Sequence, residues 1–210
     1  ARRRQAAGDH EAQAGERWLY RKLVLLPAGK PSRAENARPG SVPLQGRARL
    51  SYPTLSRFAI LGTRGIPARY GGFETFAEEL SVRLAARGHQ VSVYCRNRPE
   101  SILYRGVSLR YAPTLRHKYL DTLAHTFFST LHLLFHRCDA ALYCNAANAV
   151  FTLVPRMTGI PVALNVDGLE RKRKKWNAAA RAWYLISERL ATWLPNCIVT
   201  DARVIEEYYL

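Results

Sequence analysis

The stretch that decides the fold is residues 57–80, RFAILGTRGIPARYGGFETFAEEL. Phe58 to Leu61 read as a buried strand. The strand runs into a loop carrying Gly62, Gly65, Gly71 and Gly72, and the loop runs into a helix over 72–87. Along that helix Phe73, Phe76, Ala77, Leu80 and Leu84 recur at i, i+3, i+4, i+7 and i+11, the stripe of an amphipathic helix. Gly88 follows the last periodic residue and suits a left-handed helix stop. A strand, a glycine loop and a helix start in that order make an anion site. The helix start presents unpaired N–H groups and the positive end of its dipole, and glycines let a phosphate come close.

Strands and helices alternate from there on. QVSVYC (90–95), VSLRYA (107–112), DAALY (139–143), PVALNV (161–166) and CIVT (197–200) read as strands. Helices are expected over 119–137, near 147–156, over 177–193 and from Ala202. The helix over 119–137 puts Leu120, Leu123, Ala124, Phe127, Leu131 and Leu134 on one face, and that over 177–193 holds Ala182, Leu185, Ile186 and Leu190. This alternation argues for an α/β, Rossmann-like, doubly wound parallel sheet. Ligands on such sheets bind beyond the carboxyl ends of the strands, so loop 62–72, Cys144–Ala147 and Asp167–Glu170 fall along one edge. Residues 1–55 differ. They hold Arg2-Arg3-Arg4, five prolines and no sustained period, and read as a disordered basic N-terminal tail ahead of one domain over 56–210.

Composition narrows the partners without choosing among them. The 210 residues carry a net charge of +16, which points to polyanions: nucleic acid, anionic lipid or phosphorylated substrates. A solvated basic surface without a function is the plainer source of such an excess. Cys95, Cys138, Cys144 and Cys197 show no zinc-type spacing and fit packed thiols in a reducing cytoplasm. The longest apolar stretch, Leu120 to Phe135, is broken by Asp121, His125 and His132 and is too short to span a bilayer. His132 and His136 have the i, i+4 spacing of a metal pair but no third ligand in a recognisable place.

The loop is not a dinucleotide or Walker loop. GTRGIPARYGG lacks the GxGxxG spacing, and GxxxxGK[ST] is absent. The run GTRGIPARYGGFETFAEELSVRLAARGHQVSVYCR instead resembles the start of a GT-B glycosyltransferase of family 4. YRGVSLRY, PTLRHKYLDTLAHT, LYCNAANAVF and NVDGLERKRKKWN resemble its rhamnosyltransferase-like bacterial members, in the right order over about 57–210. The resemblance implies the N-terminal, acceptor-side half of a GT-B fold. It also implies a retaining transfer from a nucleoside-diphosphate sugar to a lipid-linked or polysaccharide acceptor, at the cytoplasmic face of a membrane. It implies no cofactor and no metal, and no DxD motif occurs. The donor domain of such a fold is not in these residues, so the chain alone is expected not to transfer sugar.

Residue roles follow from the same resemblance at matching positions only. Gly71 and Gly72 would face the donor pyrophosphate. Asp167 stands where the family often carries a catalytic-cleft His or Asp, with Gly168 and Glu170 in the same VDGLE turn. Asp-Gly is also ordinary turn chemistry. Asn145 and Asn148 would bond sugar hydroxyls, or serve only their own turn. From its charge alone, Arg171, opening the basic run Arg171–Lys175 ahead of Trp176, would meet a lipid-linked diphosphate or an anionic membrane, or stand in a solvated basic loop. His117 and Lys118 would contact acceptor phosphate, or be surface residues at a helix entry. Glu74, in the first helical turn, reads as a dipole complement. Two other classes stay open: a noncatalytic anionic-surface or nucleic-acid module, and another Rossmann enzyme. The spread of the basic residues argues against nucleic acid, and the missing GxGxxG against an oxidoreductase.

Overall fold

The computed structural model describes residues 24–27, 55–69, 71–115, 117, 120–136, 138–166 and 177–209. Along the chain these form β1 (Val24–Pro27), β2 (Arg57–Leu61), α1 (Gly72–Ala86), β3 (Gln90–Cys95), β4 (Leu103–Tyr104), β5 (Val107–Tyr111) and α2 (Asp121–Phe135). There follow β6 (Ala140–Cys144), a 3-10 helix (Ala146–Thr152), α3 (Leu153–Met157), β7 (Val162–Val166), α4 (Ala178–Ala191), β8 (Cys197–Thr200) and α5 (Arg203–Tyr209). One sheet holds all the strands in the order β1-β8-β7-β6-β2-β3-β5-β4. From β8 to β5 the neighbours are parallel, and β1 and β4 close the two edges antiparallel.

The inner strands are apolar on both faces because helices cover both. Ile60, Val91, Val93, Cys95, Val107 and Leu109 meet Ala77, Phe73, Phe76 and Leu80 of α1. On the other face Leu61, Tyr94, Tyr143, Val162, Leu164 and Ile198 meet Leu133 of α2, Ala149 of the 3-10 helix and Ala191 of α4. Each such fully buried aliphatic side chain contributes about 2 kcal/mol. The parallel, doubly wound arrangement follows the sequence reading. Gly88 takes φ +90° directly after α1, as its position predicts.

Val24–Pro27, within the segment read as tail, pairs antiparallel with β8, with Val24 opposite Thr200 and Pro27 opposite Cys197. Much of the apolar stripe of α2 and of α4 faces outward. The residues α2 buries are His125, Thr126, Ser129, Thr130 and Leu133, while Leu120, Phe127 and Leu131 are exposed. Tyr184, Ser187, Glu188 and Ala191 are buried on α4, while Ala182, Leu185 and Ile186 face out. On α2 two buried hydroxyls are satisfied locally. Thr126 and Thr130 donate their hydroxyls to the carbonyls of Thr122 (2.9 Å) and Thr126 (2.7 Å), one turn earlier. Thr130 also bonds the Tyr143 hydroxyl at 2.9 Å. Small hydroxyl side chains satisfied by their own helix enter a tight interface at little cost.

Candidate functional site

The chain leaves β2 in one direction, through β3 to β5, and returns to β6 on the other side of β2. The topological switch point therefore lies between β2 and β6, where a crevice opens beyond the carboxyl ends of the strands. Loop 62–71 leaves β2 there, and Asn145 leaves β6 beside it.

The four glycines of the loop divide into two kinds. Gly62 sits at φ +85°, and a Cβ on it would lie 2.4 Å from the Cys144 carbonyl and 2.7 Å from Asn148 Nδ2. Gly65 sits at φ +108°, and a Cβ would lie 2.6 Å from Cys95 Sγ. Both are demanded by the fold. Gly71 and Gly72 are different. Gly71 is extended at φ −158°, where a Cβ would crowd only the end of the Glu74 side chain, at 3.0 Å from Oε2, and among the described residues a Cβ on Gly72 meets nothing within 4 Å. Gly72 is exposed, and none of the described residues requires it to lack a side chain.

The helix that begins there is uncapped. Intrahelical bonding starts with the Thr75 N–H on the Gly71 carbonyl (3.1 Å), and among the described residues no side chain caps the end. The N–H groups of Gly72, Phe73 and Glu74 thus point out of the helix start as donors, on the positive end of its dipole. The loop is held against α1 by two carboxylates one turn apart. Glu74 is buried, and its Oε1 accepts the Arg64 N–H at 3.2 Å. Glu78 Oε2 accepts the Ala68 N–H at 2.6 Å, and its Oε1 accepts the Tyr104 hydroxyl at 2.7 Å. This clamp was not read from the sequence, where Glu74 looked like a dipole complement. Its signal was the i, i+4 pair Glu74 and Glu78 on the side of the helix facing the loop.

Arg96, just past β3, was also missed. Its guanidinium, 10% exposed, donates to Asp121 Oδ2 (2.6 Å) and the Thr122 hydroxyl (3.0 Å), and its backbone N–H bonds the Arg64 carbonyl at 3.1 Å. Thr114 donates to Asp121 Oδ1 at 2.6 Å. One arginine therefore ties the segment after β5 to the glycine loop. Burial lowers the Arg96 pKa, with Asp121 opposing. Behind it His125 is completely buried, and burial, then Arg96, lowers its pKa to about 4.

The other residues singled out in sequence fall as follows. Asn145 has φ +77°, and its Oδ1 accepts the Ala147 N–H at 3.0 Å, capping the 3-10 helix. Asn148 is wholly buried, and its Nδ2 donates to the Cys144 carbonyl at 2.7 Å against Gly62. Both side chains do the local turn work weighed in the sequence reading. His117 is exposed, and its carbonyl accepts the N–H groups of Leu120 (3.2 Å) and Asp121 (3.0 Å). Lys118, Asp167, Gly168, Glu170 and Arg171 lie outside the described residues. β7 itself ends at Val166 on the carboxyl-terminal edge of the sheet. Burial raises the pKa of all the thiols, that of Cys138 to about 11, and Cys144 is fully enclosed, so they pack rather than react. Among the described residues no three His, Cys, Asp or Glu side chains come together as metal ligands.

A cleft lined by Ser56, Phe58, Cys138, Asp139 and Pro161 lies at the opposite, amino-terminal edge of the strands. Its carboxylate is spent: Asp139 accepts the Arg57 N–H (2.7 Å) and guanidinium (3.1 Å), which lower its pKa.

No curated protein matches the chain. Among solved structures it is similar to apo UGT2 of Phytolacca americana, at 17% identity and a TM-score of 0.38 over 54% of this chain and 30% of that one. A sequence profile described as Glycosyltransferase Family 4 matches residues 70–208, from the end of the glycine loop through α5. By that match over most of its length, the chain belongs to glycosyltransferase family 4.

Proposed function

We propose that the chain supplies the acceptor-side half of a retaining glycosyltransferase. The enzyme moves a sugar, rhamnose in the reading favoured by the motifs, from a nucleoside-diphosphate sugar to a lipid-linked or polysaccharide acceptor at the cytoplasmic face of a bacterial membrane. Family membership supports sugar transfer in general. The observation that carries the rest is the division of the loop glycines: Gly62 and Gly65 are needed by the fold, and Gly72 is not. An exposed glycine with open space above it, at an uncapped helix start on the switch-point crevice, is where a diphosphate reaches main-chain donors.

In this reading the leaving diphosphate gains negative charge as the glycosidic bond to the donor breaks. The N–H groups of residues 72–74 and the helix dipole stabilise that charge without reorganising. Glu74 and Glu78 contribute by fixing the loop, not by touching the ligand. Asp167 orients the acceptor hydroxyl, with Gly168 and Glu170 shaping its turn. Asn145 borders the acceptor. His117, Lys118 and Arg171 meet its phosphate. No cofactor enters the scheme, and the nucleotide sugar is a co-substrate.

The test is a substitution that fills the open space. Inorganic pyrophosphate is titrated calorimetrically into the chain and its Gly72→Val variant. The proposal expects binding by the former, at least roughly tenfold weaker binding by the variant, and melting temperatures that agree. Equal binding by both contradicts it.

A further inference from the structure

The layer of α2, the 3-10 helix, α3 and α4 is built inside out. Its inner side is rich in Ser, Thr, His and Glu, and its outer side is apolar. Phe135 is 83% exposed, Met157 77% and Trp193, at the end of α4, 61%. Phe127, Phe128, Leu131, Leu153, Val154, Leu185 and Ile186 are exposed beside them. The elements are neighbours: Phe127 packs on Phe151 of the 3-10 helix at 6.3 Å between ring centroids, and Trp183 Nε1 donates to the Ala147 carbonyl at 3.3 Å. Arg156 donates to the carbonyls of Trp193 (2.9 Å) and Leu194 (2.8 Å), which sets Trp193 beside α3. Soluble proteins rarely leave so many large apolar side chains open on one side.

Charge says what covers them. The exposed ionic groups on these elements are Arg156, Arg181 and Arg189. Their carboxylates are turned away: Asp121 is paired with Arg96, and Glu188 is buried and accepts the Tyr208 hydroxyl at 3.0 Å. No other Asp or Glu occurs in the elements of this layer. A twofold contact between two copies would bring like-charged arginines onto one self-complementary patch, with no acid to answer them. An anionic lipid surface answers both features. It buries Phe and Trp at headgroup depth and attracts each arginine by about 1 kcal/mol.

We propose that this outer face, with Phe135, Met157 and Trp193 at its prow, docks on an anionic membrane. The proposal deepens the membrane contact in the reading above, and rests on it for the setting, by assigning the contact to the α2–α3–α4 face instead of the basic run alone. The surface stands apart from the switch-point crevice, so lipid binding and diphosphate binding are separable.

The test is co-sedimentation of the 210-residue chain with vesicles of phosphatidylcholine alone and of phosphatidylcholine mixed with phosphatidylglycerol. Wild type is expected to sediment with the mixed vesicles. The Phe135→Glu/Met157→Glu variant, its fold checked by circular dichroism, is expected to bind them at least roughly tenfold more weakly, since two apolar contacts with the lipid are lost and two like charges are added. A second variant, Lys172→Gln/Lys174→Gln/Lys175→Gln, is expected to keep most of the binding. If only the second variant loses binding, the face is wrong while the membrane reading stands. If wild type binds neither vesicle, both fall. If wild type is a dimer in solution that Phe135→Glu/Met157→Glu splits, the occupant is a second copy and the lipid proposal is overturned.

Discussion

Acidification reaches this fold through His125. The imidazole is fully buried under the Arg96–Asp121 pair. Burial is the main cause that lowers its pKa from 6.5 to about 4, Arg96 adds to this, and the Cys95 carbonyl and Asp121 oppose it. The sign follows from linkage. The folded state holds the ring neutral, whereas the unfolded chain takes up a proton near the ordinary histidine value. Stability is therefore full above about pH 6.5 and falls as the pH drops toward 4. At about 1.4 kcal/mol per pH unit over that window, the loss is roughly 3 kcal/mol, a large part of the stability of an ordinary domain. His132, whose pKa is lowered by its partial burial and then by His136, adds loss of the same sign. The assay is urea unfolding, followed by tryptophan fluorescence at several pH values between 7 and 4, of wild type and His125→Leu. The variant is expected to lose roughly 3 kcal/mol less than wild type between the two ends. Parallel pH slopes for the two proteins would refute the reasoning.

Gly62→Ala places a methyl against the Cys144 carbonyl at a positive φ, and is expected to cost roughly 3 kcal/mol or more in chemical denaturation. Gly72→Ala, in open space at the first helical position, is expected to leave stability unchanged or raise it by up to about 1 kcal/mol. Arg96→Met leaves Asp121 without its cation and cuts the link between the segment after β5 and the glycine loop. It is expected to destabilise by about 2–4 kcal/mol and to speed amide exchange at both Arg64–Ala68 and Thr114–Asp121.

Much of the fold was legible where a single period decides it. QVSVYC and CIVT are strands with the bounds expected of them, because short β-rich runs between turn residues leave no alternative. Leu103–Tyr104 and Val24–Pro27 were not legible, because two- and four-residue edge strands are defined by their partners and not by their own pattern. Which side of α2 and α4 is buried was not legible for a different reason. A period of 3.6 reveals a stripe but not which way it turns, and on α2 Thr126 and Thr130, bonded to their own helix, enter the interface at little cost. At the site, the order of strand, glycine loop and helix was plain in residues 57–80. The Glu74–Glu78 clamp and the Arg96 tie were not, since both bond loop segments that no spacing rule places beside them.

The central claim is that main-chain donors at the start of α1 receive a diphosphate. Amide chemical-shift mapping of the chain during titration with inorganic pyrophosphate tests it at the atoms concerned. The account predicts that the largest shifts fall on the N–H groups of Gly72, Phe73 and Glu74, with smaller ones in the loop that Glu74 and Glu78 hold. Shifts confined to basic side-chain regions elsewhere, with residues 71–74 unmoved at saturation, would contradict it.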